Sequence, residues 1–151
     1  MGSISRVLSC VFATAAPLFV LAPNAAAAPD SPYTCSGVFL SSDGAAEVES
    51  CVYAENGVPR AFGGLTIKSD TITRESCTMS VTVVDYNAYE TGANENVATS
   101  GPFPCFNGRY PSPPLTVDRP FAIPGHRYRS YTEVTNNGQG IARIYSPDLI
   151  L

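Results

Sequence analysis

The chain has 151 residues, 44% of them apolar and 15% charged, with a net charge of −4 and no tryptophan. That is the length of one domain and the composition of a folded one, which excludes an intrinsically disordered chain. Acids and bases are spread singly without a basic stripe, so neither nucleic acid nor an anionic membrane surface is an expected partner.

The first element is not part of the domain. Arg6 precedes an apolar run over residues 7–22, and Asn24-Ala25-Ala26-Ala27-Ala28 follows with small residues suited to signal peptidase. This is the pattern of a secretory signal over residues 1–27, cut after Ala27 on the A-x-A formed by Ala25 and Ala27. The run is interrupted by Pro17 and falls short of the roughly 20 residues a membrane span needs, so no anchor is expected after cleavage. Residues 28–34 read as a flexible N-terminal segment, and residues 35–151 as a single domain.

Removing the signal takes Cys10 with it and leaves Cys35, Cys51, Cys77 and Cys105. It also takes Arg6 from the nine bases, leaving eight against thirteen acids and a net charge of −5. An even cysteine count in an exported chain implies two disulfides. Of three possible connectivities, the sequence-local one, Cys35–Cys51 with Cys77–Cys105, is preferred. Zinc is a poor alternative, because spacings of 16, 26 and 28 residues hold no C-x-x-C knuckle and His126 is the only histidine. No metal or cofactor is expected.

The rest is strand-like. Residues 36–40 form a first run. Residues 46–54 form a second, with Val48, Ser50 and Val52 facing away from Glu47, Glu49, Cys51 and Tyr53. Glu55-Asn56-Gly57 signals a turn, and residues 60–68 form a third run with a possible bend at Gly63-Gly64. Residues 72–86 are strand-like with a break near Glu75-Ser76, and residues 89–108 read as a long loop. Residues 115–117 and 121–123 are short apolar pieces between prolines. The last hairpin pairs residues 128–135 with 141–146 around Asn136-Asn137-Gly138-Gln139-Gly140. Setting Glu133 opposite Arg143 and Tyr131 opposite Tyr145 joins opposite charges and paired rings on one face. Thr132/Ile144 and Val134/Ala142 then share the other.

No helical periodicity, repeat or low-complexity tract interrupts this pattern. Six to eight short strands predict an all-β, two-sheet antiparallel β-sandwich of immunoglobulin-like type, stapled by disulfides, with a small barrel as the alternative. The immunoglobulin hallmark of a tryptophan packed on a disulfide is absent.

Chemistry-bearing residues are sparse. His126 would need an orienting acid, Asp118 or Glu133, and a nucleophile, Ser130 or Ser146, and no G-x-S-x-G frames a serine. Glu47/Glu49 and Asp85, Glu90 and Glu95 are carboxylates of the kind any acidic domain supplies. The stretch DYNAYETGANE, residues 85–95, lacks the residue order of a calcium loop. An enzyme is therefore not the expected reading. Tyr86, Tyr89, Tyr110, Tyr128, Tyr131 and Tyr145 are more than a small core needs, and a buried phenol must satisfy its hydroxyl, so several are expected at the surface.

Seven of the thirteen prolines lie between Pro102 and Pro124, and GPFPCFNGRYPSPPL, residues 101–115, is the densest stretch. The favoured reading is an ordered crossing between the sheets, held at Cys105. Arg109 and Tyr110, after the Asn107-Gly108 turn, are its candidate contact with a partner, and Tyr131 and Tyr145 are the candidates in the last hairpin.

The alanine-rich signal ending AAAAPD, the two disulfides and the tyrosine-rich C-terminal hairpin ending in Tyr-Ser-Pro together resemble the small secreted proteins common in actinobacteria. The resemblance implies an extracellular location and no particular activity. Secreted subtilisin inhibitors also follow a signal and carry two disulfides, but the residues around these four cysteines do not match their order. The expected function is that of a monomeric, non-enzymatic extracellular or envelope protein that binds a protein or a glycan. Inhibition of an extracellular hydrolase, with Arg109 as specificity residue, is the alternative, and a small hydrolase is a third.

Overall fold

The computed structural model describes residues 33–87, 95–111 and 122–151. The signal and the pieces at residues 115–117 lie outside them, as do Tyr89, Glu90 and Asp118.

The turn chemistry of the sequence sets the first sheet. β1 (Tyr33–Cys35) and β2 (Phe39–Leu40) both pair antiparallel with one side of β3 (Ala46–Glu55), and β3 pairs with β4 (Val58–Ile67). Asn56 and Gly57 both have positive φ, 53° and 74°, which is what a two-residue hairpin turn matching the twist of its strands requires. β7 (Gly108–Pro111) completes this sheet on the far side of β4. Val48, Ser50 and Val52 point inward and are fully buried, as the alternation predicts. Two expectations shift here. Tyr33 and Thr34 belong to β1 rather than to a flexible segment, and the run over residues 36–40 is broken at Ser36-Gly37-Val38, so that only Phe39 and Leu40 pair.

The second sheet contains β5 (Cys77–Asp85), β6 (Asn96–Pro104), β8 (Arg127–Asn136), β9 (Gln139–Tyr145) and β10 (Leu149–Ile150). β5 lies between β6 and β8, while β9 and β10 share the other side of β8. β5 begins just after the break expected near Glu75-Ser76. The β8–β9 register is the expected one, Glu133 opposite Arg143 and Tyr131 opposite Tyr145, with Asn137-Gly138 as its positive-φ turn. A bulge between Val134 and Thr135 leaves Ile141 without a ladder partner. Its carbonyl accepts the Ser42 N–H at 2.8 Å and so ties the turn before β3 to β9 at this edge of the sandwich.

Residues 96–104 are the main correction to the loop expected over 89–108: they form β6. Gly101, Pro102 and Pro104 argue against a central strand, but β6 is an edge strand, where missing donors break no ladder. Pro111 likewise closes β7, the edge of the other sheet. The prolines thus sit where they also deter edge-to-edge association.

The result is an all-β sandwich of two antiparallel sheets. Cys35–Cys51 and Cys77–Cys105 are bridged, with Cα separations of 4.1 Å and 5.3 Å. The first joins directly opposed residues of β1 and β3, and the second joins the start of β5 to the crossing that follows β6. Neither spans the core between two sheets as the immunoglobulin bridge does, so the sandwich is shared with that fold and the disulfide placement is not.

The core is built largely from valines, including Val48, Val81, Val83 and Val134, with Leu65 and Met79 among them. Gly63 lets the sheets approach. A Cβ there would lie 2.4 Å from Met79 Cε and 2.7 Å from Thr132 Oγ1. The Thr132 hydroxyl is buried and has no hydrogen-bond partner among the described residues. Nearby polar groups are satisfied, with Ser50 and Ser130 sharing a hydrogen bond of 2.8 Å between the sheets.

Gly63→Ala is expected to lower unfolding free energy by roughly 1–3 kcal/mol through overpacking. Thr132→Val, which replaces an unpartnered hydroxyl by a methyl, is expected to raise it by about 1 kcal/mol. Urea denaturation of the two variants measures both. Non-reducing peptide mapping should return Cys35–Cys51 and Cys77–Cys105 alone; a Cys35–Cys77 peptide would refute the connectivity.

Candidate functional site

β8 alternates strictly, with Tyr128, Ser130, Thr132 and Val134 inward and Arg129, Tyr131 and Glu133 on the outer face. β5 puts Val84 directly opposite Arg129, and Asn96 of β6 lies opposite Val84. β9 adds Arg143 and Tyr145 to the same face. Together with Tyr86, just past β5, these side chains line a concavity of about 450 Å³ on the outside of the second sheet.

Its aromatic part is the Tyr131–Tyr145 pair, with ring centroids 5.5 Å apart and planes at 49°. Tyr145 is 49% exposed. Its polar part is a set of planar forks. Arg143 Nη2 donates to Glu133 Oε1 at 2.9 Å, and its guanidinium carbon stands 5.2 Å from the Tyr131 ring centre. The adjacent Glu133 carboxylate holds the Arg143 guanidinium further up in its protonated range. Arg129 stacks on Tyr86 at 4.2 Å and donates to Asp148, whose other oxygen lies 3.8 Å from Arg127 Nη1. Every arginine of this face therefore has a carboxylate beside it.

Two expected surface tyrosines are core residues. Tyr110 is 1% exposed because it lies opposite Gly63 in the β4–β7 ladder, on the inward side. Its hydroxyl donates to the Phe106 carbonyl at 2.7 Å and accepts the Phe106 N–H, and its ring stacks on Phe106 at 4.1 Å. Burial pushes its phenol up. It cannot meet a partner. Tyr128 is also buried, and its hydroxyl accepts the Ile123 N–H at 2.8 Å.

Arg109 is exposed, but it lies within β7 opposite Gly64, with its guanidinium 4.7 Å from the Phe62 ring. It borders a smaller hollow of about 250 Å³ on the first sheet, shared with Glu47 and Glu49. Arg109 and the Tyr131–Tyr145 pair are therefore on different sheets and form no joint site. Arg109 thus lies in the edge strand β7, paired on one side with β4, rather than on an unpaired turn after Asn107-Gly108.

His126 has a partner that sequence reasoning missed. Its Nδ1 is 2.8 Å and 3.1 Å from the two oxygens of Asp85, a carboxylate with no exposed surface. The Asn87 N–H also donates to Asp85, at 3.1 Å. The expected orienting acid Glu133 is committed to Arg143 instead. The expected nucleophiles are also engaged, Ser130 Oγ with Ser50, and Ser146 Oγ with the Ser130 N–H at 2.9 Å and the Pro147 carbonyl. Among the described residues, no hydroxyl is hydrogen-bonded to His126. Among the described residues the pair has the orienting half of a catalytic triad without a hydroxyl bonded to it, and it ties the end of β5 to the segment entering β8.

No protein-family model matches the chain, and no curated protein or solved structure is significantly similar to it. The site therefore rests on its own geometry.

The different placement of the tyrosines has a measurable consequence. Tyr110→Ala should cost roughly 3–5 kcal/mol of stability, while Tyr145→Ala should stay within about 0.5 kcal/mol of the parent protein. Thermal unfolding of both variants checks the contrast.

Proposed function

We propose that the protein is exported and works outside the cell as a non-enzymatic binding module, using the tyrosine–arginine face of β5, β8 and β9. The observation that carries this reading is the concavity of about 450 Å³, which brings the exposed Tyr145 and half-buried Tyr131 together with two guanidinium–carboxylate forks. Small-ligand sites are typically clefts of this size with a few placed polar groups. The signal pattern supports export, and two disulfides fit an oxidising compartment.

The test compares three purified proteins for retention on cell-envelope material: the parent chain, the Tyr131→Ala/Tyr145→Ala double variant, and Arg109→Ala. The parent and Arg109→Ala should be retained alike, and the double variant should lose at least about tenfold in affinity, or about 1.4 kcal/mol. Full retention of the double variant with loss in Arg109→Ala would move the site to the first sheet and refute the proposal.

A further inference from the structure

Three arginines stand on or beside the face described above, and each has one of two carboxylates beside it. Asp148 lies against Arg129 and Arg127, and Glu133 against Arg143. An anionic ligand would have to displace or approach these carboxylates. A cationic ligand would meet the guanidinium groups. The chain as a whole is acidic, at −4, which adds long-range repulsion toward anions. What such forks offer is geometry: parallel donors on arginine beside acceptors on a carboxylate, the arrangement that matches neighbouring hydroxyl groups.

The rings select in the same direction. An aromatic face carries negative quadrupole charge, so it attracts the weakly positive C–H groups along one side of a saturated ring. Tyr145, 49% exposed, offers such a face, and the half-buried Tyr131 ring adjoins it at 5.5 Å between centroids. A protein partner is a poorer match. A stable protein interface needs roughly 800 Å² per side around a desolvated apolar centre. Here the one aliphatic lining residue, Val84, is only 8% exposed.

We propose that this face binds an uncharged oligosaccharide, with a pyranose ring lying on Tyr145 beside Tyr131 and neighbouring hydroxyls held by the Arg143–Glu133 and Arg129–Asp148 forks. The inference rests on the reading that this face is the binding surface, and it specifies what the face takes.

The test is calorimetric titration of the full mature domain with uncharged gluco-, manno- and xylo-oligosaccharides, and with polygalacturonate and heparin as anionic probes. At least one uncharged series should bind, with affinity changing less than about twofold between about 50 mM and 500 mM salt, because no charge pairing is screened. Tyr145→Ala should weaken it at least about tenfold, and Arg143→Gln should weaken it as well. Binding of the anionic probes alone, steeply salt-dependent and lost in Tyr145→Ala, would overturn the ligand class while leaving the face in place. Binding of uncharged sugars that is indifferent to Tyr145→Ala and Tyr131→Ala would overturn the face itself. Absence of binding to every uncharged series overturns the inference.

Discussion

The chain must leave the second sheet at Pro104 and enter the first at Gly108, and the way this crossing is fixed sets the relation of the two sheets. Four ties hold it. The Cys105 sulfur is bonded to Cys77 at the start of β5, and the Cys105 N–H donates to the Cys77 carbonyl at 3.0 Å. Asn107 Oδ1 accepts the Ile67 N–H at 2.6 Å at the end of β4. The Tyr110 ring then enters the core, its hydroxyl returned to Phe106. The opposite edge is closed by the Ser42–Ile141 hydrogen bond. With both edges fixed, the buried face of each sheet is committed and the outer faces are left rigid.

That rigidity is what gives the outer face its value. Tyr131, Tyr145, Arg129 and Arg143 stand on two adjacent strands, β8 and β9, and the arginine charges are already paired within the protein. Little ordering remains to be done when a ligand arrives, and preorganisation of this kind raises affinity by lowering the entropic cost of binding. The pair of the buried Asp85 and half-buried His126 contributes to the same end, since it fastens the end of β5 to the entry of β8, and these two strands carry Val84 and Arg129.

Much of this was legible in the residues. The Asn-Gly turns, the alternation of β3 and β8, the cysteine pairing and the hairpin register with Glu133 on Arg143 follow from local chemistry and appear as expected. The failures have definite causes. β6 was hidden because its glycine and prolines signal a loop, and only its edge position makes them tolerable. Tyr110 was misassigned because the direction of a strand residue depends on its partner, and that partner, Gly63, lies 47 positions away. Asp85 and His126 are 41 positions apart, and nothing local connects them. Tyr131 and Tyr145 were found by register, and Arg129 shares their face through the alternation of β8, whereas Asp148 could be set beside Arg129 only by the path of the chain after β9.

The central question is whether a ligand lands on the Tyr131–Tyr145 face of the sandwich. Amide chemical-shift mapping during titration with an uncharged oligosaccharide that binds would settle this directly. Shifts should concentrate at Arg129–Glu133 of β8 and Arg143–Tyr145 of β9, with Val48, Val52 and Leu65 of the first sheet unmoved. Shifts centred on Arg109 or His126, or spread evenly through both sheets, would contradict it.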